Sequence, residues 1–277
     1  MDIQESTIQT SDNLQLYART WAPETMPRAA VCLVHGLGEH CGRYDHVAAA
    51  FNQAGFAMLG FDLRGHGQSP GERGHTPSYD AMLDDVNRAL QTTRERFPDV
   101  PLFLYGHSMG GNLVINYALR RRPPVAGVLA TSPWLRLPTP PPAAQMTLAR
   151  LMNRIYPKMA QSNGLELDAL SRDPQVVTDY QNDPLVHDRI SVRLVVEFTD
   201  AGEWALEHAS ELSLPMLLVH GSADRLTSPL ASQEFAAKAG ELCTLKIWEN
   251  FYHETHNEPE KEQVIAYNLD WMEKQFA

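Results

Sequence analysis

A chain of 277 residues, 43% of them hydrophobic, can bury a sizeable core, and one α/β domain carrying an insertion is expected over two independent domains. The formal net charge of -11 argues against a nucleic-acid partner, because phosphate binding is driven by clusters of Lys and Arg, and it favours a neutral substrate over a polyanionic one. Three cysteines, Cys32, Cys41 and Cys243, have neither metal-ligand spacing nor the even count of a disulfide framework.

Met1 to Thr10 is polar and acidic, without the basic and apolar regions of a secretory signal, and no run of about 18 apolar residues follows, so a soluble cytoplasmic protein is expected. Strands are predicted at 5–9 and 14–21, then at Ala29 to Val34, an apolar run that enters His35-Gly36-Leu37-Gly38-Glu39-His40. A His-Gly loop of this type supplies a backbone N–H to an oxyanion, and the donor is assigned to Leu37. Neither a dinucleotide fingerprint nor a Walker pattern is present, and no cofactor is expected. Cys41, in the same loop, is expected to be half-buried. After a helix near 43–54, the strand Phe56 to Asp62 leads into Asp62 to Gly67, read as a tight loop in which His66 is a hydrogen-bonded loop residue.

A helix near 78–97 precedes the strand Leu102 to Gly106, and Gly106-His107-Ser108-Met109-Gly110 follows. A serine between two glycines on a strand-to-helix turn is a nucleophile elbow: its backbone is strained, its neighbours are crowded, and a Cβ two positions either side would clash. The helix behind it, 109–121, aims its N-terminal amides at negative charge developing on the serine side, and Met109 is assigned as the second oxyanion donor. Serine needs a base and an acid, which follow in this class in the order Ser, Asp or Glu, His, each behind a strand. The strand Met216 to His220 is followed by Asp224, and Thr244 to Trp248 by His253, completing Ser108, Asp224 and His253 as the catalytic set. His220 reads as a core histidine. His256 is the rival base, and a capping or surface role is expected for it.

Between the strand Ala126 to Thr131 and Pro215 the β-α alternation breaks at Leu137-Pro138-Thr139-Pro140-Pro141-Pro142, a stiff extended segment. The chain therefore divides into an α/β core of 1–133 and 212–277 and an inserted cap of 134–211. In the first cap helix Leu148, Leu151, Met152 and Ile155 form an apolar stripe, with Met159 continuing it. The stripe either lines an acyl tunnel or packs on the core. Arg150, Arg154 and Lys158 make a basic row, worth about 1 kcal/mol per charge against anionic lipid, and a solvated face is the simpler reading. Transient membrane-surface contact through the cap is one expectation that follows. Helices near 229–240 and 258–276 complete the pattern of a mostly parallel sheet wrapped on both faces.

His35 to Tyr44, Asp62 to Ser69, Gly106 to Gly111 and Tyr252-His253-Glu254, with Leu170 to Pro174 and Tyr180 to Pro184 between them, resemble the monoacylglycerol lipases, a serine aminopeptidase-type and lysophospholipase-like group of α/β-hydrolases. The resemblance spans most of the chain. It implies the α/β-hydrolase fold, the same catalytic and oxyanion residues, and a polar pocket end for glycerol formed or supported by Glu39, Arg43, His107 and Tyr180. Leu37 stands where the family commonly has alanine, which narrows the alcohol side if the side chain faces the pocket. The expected activity is hydrolysis of carboxylic esters, monoacylglycerol first, with a small-molecule lipid ester as the expected partner. A lysophospholipase or a general short- or medium-chain esterase is the alternative, and a non-catalytic binding module is the alternative from another class.

Overall fold

The computed structural model describes residues 2–276. Strands β1 (Asp2–Gln9), β2 (Gln15–Ala22), β3 (Ala29–Val34), β4 (Phe56–Phe61), β5 (Leu102–His107) and β6 (Gly127–Thr131) come first, joined by helices α1 (Asp45–Gln53), α2 (Tyr79–Arg96) and α3 (Met109–Arg121). The segment after β6 holds α4 (Ala143–Ile155), short strands β7 (Ala160–Ser162) and β8 (Arg189–Ser191), α5 (Pro174–Asn182) and α6 (Val192–Glu207). The chain then returns through β9 (Met216–Gly221), α7 (Pro229–Ala239), β10 (Cys243–Trp248) and α8 (Lys261–Glu273). An eight-stranded sheet of order β1-β2-β4-β3-β5-β6-β9-β10 results. β1 and β2 pair antiparallel, β2 meets β4 antiparallel, and every later pair is parallel.

All six residues of β3, β4, β5 and β9 are buried, because helices cover both faces and no strand face is left to water. The two-residue period sorts their side chains. Ala30, Cys32 and Val34 join Leu104, Val86, Leu113 and Phe235 on the face of α2, α3 and α7, while Val31 and Leu33 join Phe103, Phe51 and Trp271 on the face of α1 and α8. Truncating a fully buried member such as Phe103 to alanine costs about 3–5 kcal/mol. Parallel strands place their carboxyl ends together, which brings the loops after β3, β5, β9 and β10 to one edge.

The inserted segment is tied to this core by α6. Leu194, Phe198, Ala201 and Ala205 are buried in the cluster that holds α3. Asn112 and Asn116 of α3 donate their side-chain amides to the carbonyls of Phe198 (3.3 Å) and Ala201 (3.2 Å). α4 lies outermost, packed on α6.

The apolar stripe of α4 takes neither expected place. Leu148, Leu151 and Ile155 are 59%, 52% and 68% exposed, Met152 is half-buried, and none of the four lines the central cavity. The reason is rotational. α4 docks through the row Met146, Ala149 and Asn153, with Asn153 accepting from Arg193, and at about 100° per residue Leu148, Leu151 and Ile155 lie on the opposite side. Within the basic row Arg150 pairs with Asp200 and Lys158 with Glu72, each at 2.6 Å. Two further expectations are corrected by burial. Cys41 is fully buried against Gly60, where an added Cβ would lie 2.9 Å from the Cys41 Cβ, and burial pushes its thiol well above the ordinary value. His256 is neither capping nor at the surface: it is fully buried and stacked on Tyr44.

Candidate active site

β5 ends in the elbow. Ser108 has φ 53° and ψ -113°, a region that costs a non-glycine residue energy and survives only where the surroundings enforce it. A Cβ on Gly106 would sit 2.3 Å from the Gly110 carbonyl oxygen, and one on Gly110 would sit 2.1 Å from that of Val34. The crowding inferred from the glycine spacing is therefore backbone against backbone. The Ser108 amide donates to the Thr131 carbonyl (2.9 Å), which ties the turn to β6.

Asp224 and His253 meet behind β9 and β10. His253 Nδ1 lies 2.8 Å from Asp224 Oδ2, so the ring donates there and keeps the Nε2 lone pair free to take a proton. The same oxygen accepts from His220 Nε2 (3.0 Å) and Thr227 Oγ1 (2.9 Å), while Oδ1 accepts the amides of Leu226 (2.7 Å) and Thr227 (3.0 Å). Burial penalises the Asp224 charge, but His253 and His220 outweigh it and hold the carboxyl well below its ordinary value. Burial likewise opposes charge on His253, and Asp224 outweighs it, so the imidazole pKa is raised. The base loop is fixed by its backbone: Ser132 Oγ donates to the His253 carbonyl (2.6 Å), and the His253 and Glu254 amides donate to Ala169 and Leu170 of the inserted segment.

Reading the chain alone missed His220, Thr227 and Ser132 as partners of this pair. His220 closes the chain Ser232, His220, Asp224, His253, with its Nδ1 2.8 Å from Ser232 Oγ. Its only sequence signal was a polar residue ending an otherwise apolar strand four positions before the acid.

The loop after β3 is held peptide by peptide. Glu39 Oε1 accepts the Gly36 amide at 2.6 Å, and His35 Nδ1 lies 2.8 Å from the Gly36 carbonyl oxygen. His35 Nε2 accepts the Leu63 amide, so Nδ1 carries the proton and donates. A trans peptide points its N–H opposite its C=O; with the Gly36 carbonyl held on the His35 side, the Leu37 N–H is turned the other way.

A cavity of about 250 Å³ joins these parts, lined by Ser108, His253, Leu37, Glu39, His107, Tyr180 and Glu254, with Trp134, Leu137, Leu165, Leu170, Val195 and Leu226 as apolar wall. The inserted segment supplies much of that wall, although not through α4. Arg43 does not line it. Its guanidinium is buried between Glu39 and Glu254 and lies 4.8 Å from the Tyr180 ring centroid. His107 is buried with Nδ1 3.0 Å from Thr131 Oγ1, and burial, then His256 and His253, hold it well below the ordinary value and neutral. His256 packs on His107, ring centroids 4.8 Å apart, but unlike His253 it neither lines the cavity that holds Ser108 nor pairs with Asp224, which argues against it as the base. Leu37 lines the cavity and packs against the main apolar cluster, so its side chain does occupy pocket space.

A strained serine, a buried histidine paired with a carboxylate and a neighbouring amide loop at the carboxyl ends of parallel strands define a serine hydrolase on the α/β-hydrolase fold. The profile of the family described as serine aminopeptidase, S33, matches residues 25–260. The monoacylglycerol lipase of Mycolicibacterium smegmatis is 33% identical over 254 residues, covering 91% of this chain and 90% of that protein. An uncharacterized abhydrolase domain-containing protein of Dictyostelium discoideum is 39% identical over 272 residues, 97% of this chain, and the chain spans 29% of that protein's length. The crystal structure of the monoacylglycerol lipase of Paleococcus ferrophilus is similar with a TM-score of 0.86 at 37% identity, over 94% of this chain and 99% of that one. The chain belongs to the monoacylglycerol lipase family of α/β-hydrolases and is a carboxylic ester hydrolase.

Proposed function

We propose that the protein cleaves monoacylglycerols to fatty acid and glycerol through an acyl-enzyme on Ser108. Ser108 Oγ attacks the ester carbonyl while His253 Nε2 takes its proton, Asp224 stabilises the imidazolium, and the amides of Leu37 and Met109 hold the tetrahedral oxyanion. His253 then protonates the leaving alcohol, and a water activated by the same ring releases the acid.

The observation that carries the substrate class is the mixed lining of the cavity holding Ser108 and His253: Trp134, Leu137, Leu165, Leu170, Val195 and Leu226 beside the polar cluster that Glu39, Glu254 and Tyr180 form around Arg43. At the polar end two buried carboxylates share one guanidinium, and Arg43 spends Nη1 and Nη2 on them. Glu254 stays ionised, its pKa held at about 2 because Arg43 overcomes the burial penalty. Such an end suits hydroxyl donors and repels a phosphate, which favours glycerol esters over lysophospholipids. A volume of about 250 Å³ lies just below the usual range for small-ligand sites and favours acyl chains of modest length.

In this reading 134–211 is the cap and its outward α4 stripe rests on a lipid surface from which substrate is drawn, with the enzyme working in the cytoplasm. Among the described residues no helix is long and apolar enough to cross a membrane, so contact of this kind is peripheral. The test is a panel of monoacylglycerols of increasing chain length beside lysophosphatidylcholine and lysophosphatidic acid of matched chains, with Ser108→Ala as control. Monoacylglycerol is expected to exceed both phospholipids at least tenfold in kcat/KM, and Ser108→Ala to lose all turnover and fluorophosphonate labelling. Equal rates on the phospholipids would remove glycerol as the defining alcohol.

A further inference from the structure

Glu39, Arg43 and Glu254 come from two different loops of the site, and one guanidinium spans them. Arg43 Nη1 lies 2.7 Å from Glu39 Oε2 and 2.7 Å from Glu254 Oε1, while Nη2 lies 2.8 Å from Glu254 Oε2. At one end Glu39 uses its other oxygen on the Gly36 amide, adjacent to Leu37, and on the Tyr44 hydroxyl (2.8 Å). At the other end Glu254 is the residue after His253, with its Oε2 also accepting from Asn257 (2.7 Å). Both carboxylates are 2% exposed and the Arg43 side chain is 10% exposed, so water competes little for these bonds.

Hydrogen-bond capacity shows how far these groups are committed. A carboxylate has about four acceptor sites, and Glu39 and Glu254 each use three within the protein. Arg43 itself does not line the cavity, and a planar fork is what two carboxylates at fixed separation require, which a single ammonium does not match. Acyl transfer needs the oxyanion donors and the base aimed at the same carbonyl at once, and small misplacements are costly.

We propose that Arg43 is a positioning residue that locks the oxyanion loop to the base loop through Glu39 and Glu254, setting the separation between the Leu37 amide and His253. This rests on the catalytic roles given to Leu37 and His253 but not on glycerol as the alcohol. Family resemblance places Glu39 and Arg43 at the glycerol end, and the two roles separate on a substrate that has no glycerol. Arg43→Lys keeps the charge and loses the fork; Glu39→Gln keeps the Gly36 contact and loses the charge that faces Arg43.

The experiment measures kcat and KM of both variants on p-nitrophenyl acetate and on a monoacylglycerol, together with affinity for a phenylboronic acid, whose tetrahedral adduct on Ser108 needs the oxyanion hole, and with thermal unfolding. The expected result is a fall in kcat of about 10- to 100-fold on both substrates for Arg43→Lys, with acetate KM within about threefold and boronate affinity falling in parallel. Glu39→Gln is expected to fall about tenfold in the same pattern, and it carries the test if Arg43→Lys does not fold. Acetate kcat and boronate affinity within about threefold of wild type would overturn the proposal, whatever happens to monoacylglycerol. Wild-type enzyme that cleaves the acetate but no monoacylglycerol would refute the glycerol reading and leave this test standing.

Discussion

The outward stripe of α4 gives the sharpest quantitative expectation. Leu148, Leu151 and Ile155 leave 59%, 52% and 68% of their surface in water, and fully burying such a side chain is worth about 1.5–3 kcal/mol. About 1–2 kcal/mol per residue therefore remains to be gained at a lipid surface, and about 3–5 kcal/mol for the three together. Changing all three to glutamine, a good helix former, should weaken partitioning onto phosphatidylcholine vesicles by at least about two orders of magnitude at 1.4 kcal/mol per tenfold. Unfolding free energy should move little, since all three leave more than half of their surface in water. Because Arg150 and Lys158 are already paired with Asp200 and Glu72, binding should depend weakly on salt and on anionic lipid. Cosedimentation with vesicles reads the partitioning, and hydrolysis of a soluble acetate ester reports on the catalytic centre, which should be unchanged. Wild-type protein that stays in the supernatant, or a triple variant that cosediments within about threefold of it, would refute the reasoning.

The acid limb of kcat/KM should fall above the ordinary imidazole value of 6.5, because His253 must be neutral to act as base and its pKa is raised by Asp224 against the burial penalty. Asp224→Asn should move that limb to lower pH and cut kcat by about 10⁴-fold, and a wild-type limb at or below 6.5 would contradict the assignment. Val195→Trp or Leu165→Trp, on the cavity wall, should shift the preferred acyl chain to shorter lengths while acetate hydrolysis survives, whereas Leu151→Trp should not shift it; a chain-length series of p-nitrophenyl esters reads the difference. Burial holds His256 at a pKa of about 3, so between 3 and 6.5 the unfolded chain binds a proton there that the folded one does not. Stability should fall with acidification through that window, by up to about 1.4 kcal/mol per pH unit from this residue, and His256→Phe should flatten the slope in urea melts at pH 4 to 7.

Much of the candidate site is legible along the chain because its signals are local. Ser108 was marked by glycines two positions away on each side, and the same spacing explains the elbow's backbone. Asp224 and His253 were found by their places behind apolar strands, since topology alone brings the ends of parallel strands together. The proposed donor role of Leu37 is likewise read from the His-Gly loop. These readings need only a few neighbouring residues and the two periodicities of helix and strand.

What the tertiary structure decided depends on which surfaces meet. A helical stripe such as Leu148, Leu151 and Ile155 records amphipathicity, but not whether the apolar or the opposite side docks; α6 already occupies the core face beside α3, so α4 settles on it through Met146 and turns the stripe outward. Arg43 carries no local mark of the base loop it reaches, 211 positions away in Glu254. His220 looked like any polar strand end until the return of the chain after β9 placed Asp224 against it. Cys41 in its loop reads as half-buried and His256 near the last helix as a capping or surface residue, yet packing against Gly60 and Tyr44 buries both. Sequence therefore determined the chemistry and the order of the elements, through propensity and spacing within short windows. Only the folded chain determined burial, facing and the long-range pairs between the loops of the candidate site, because those are set by competition among distant surfaces for the same core.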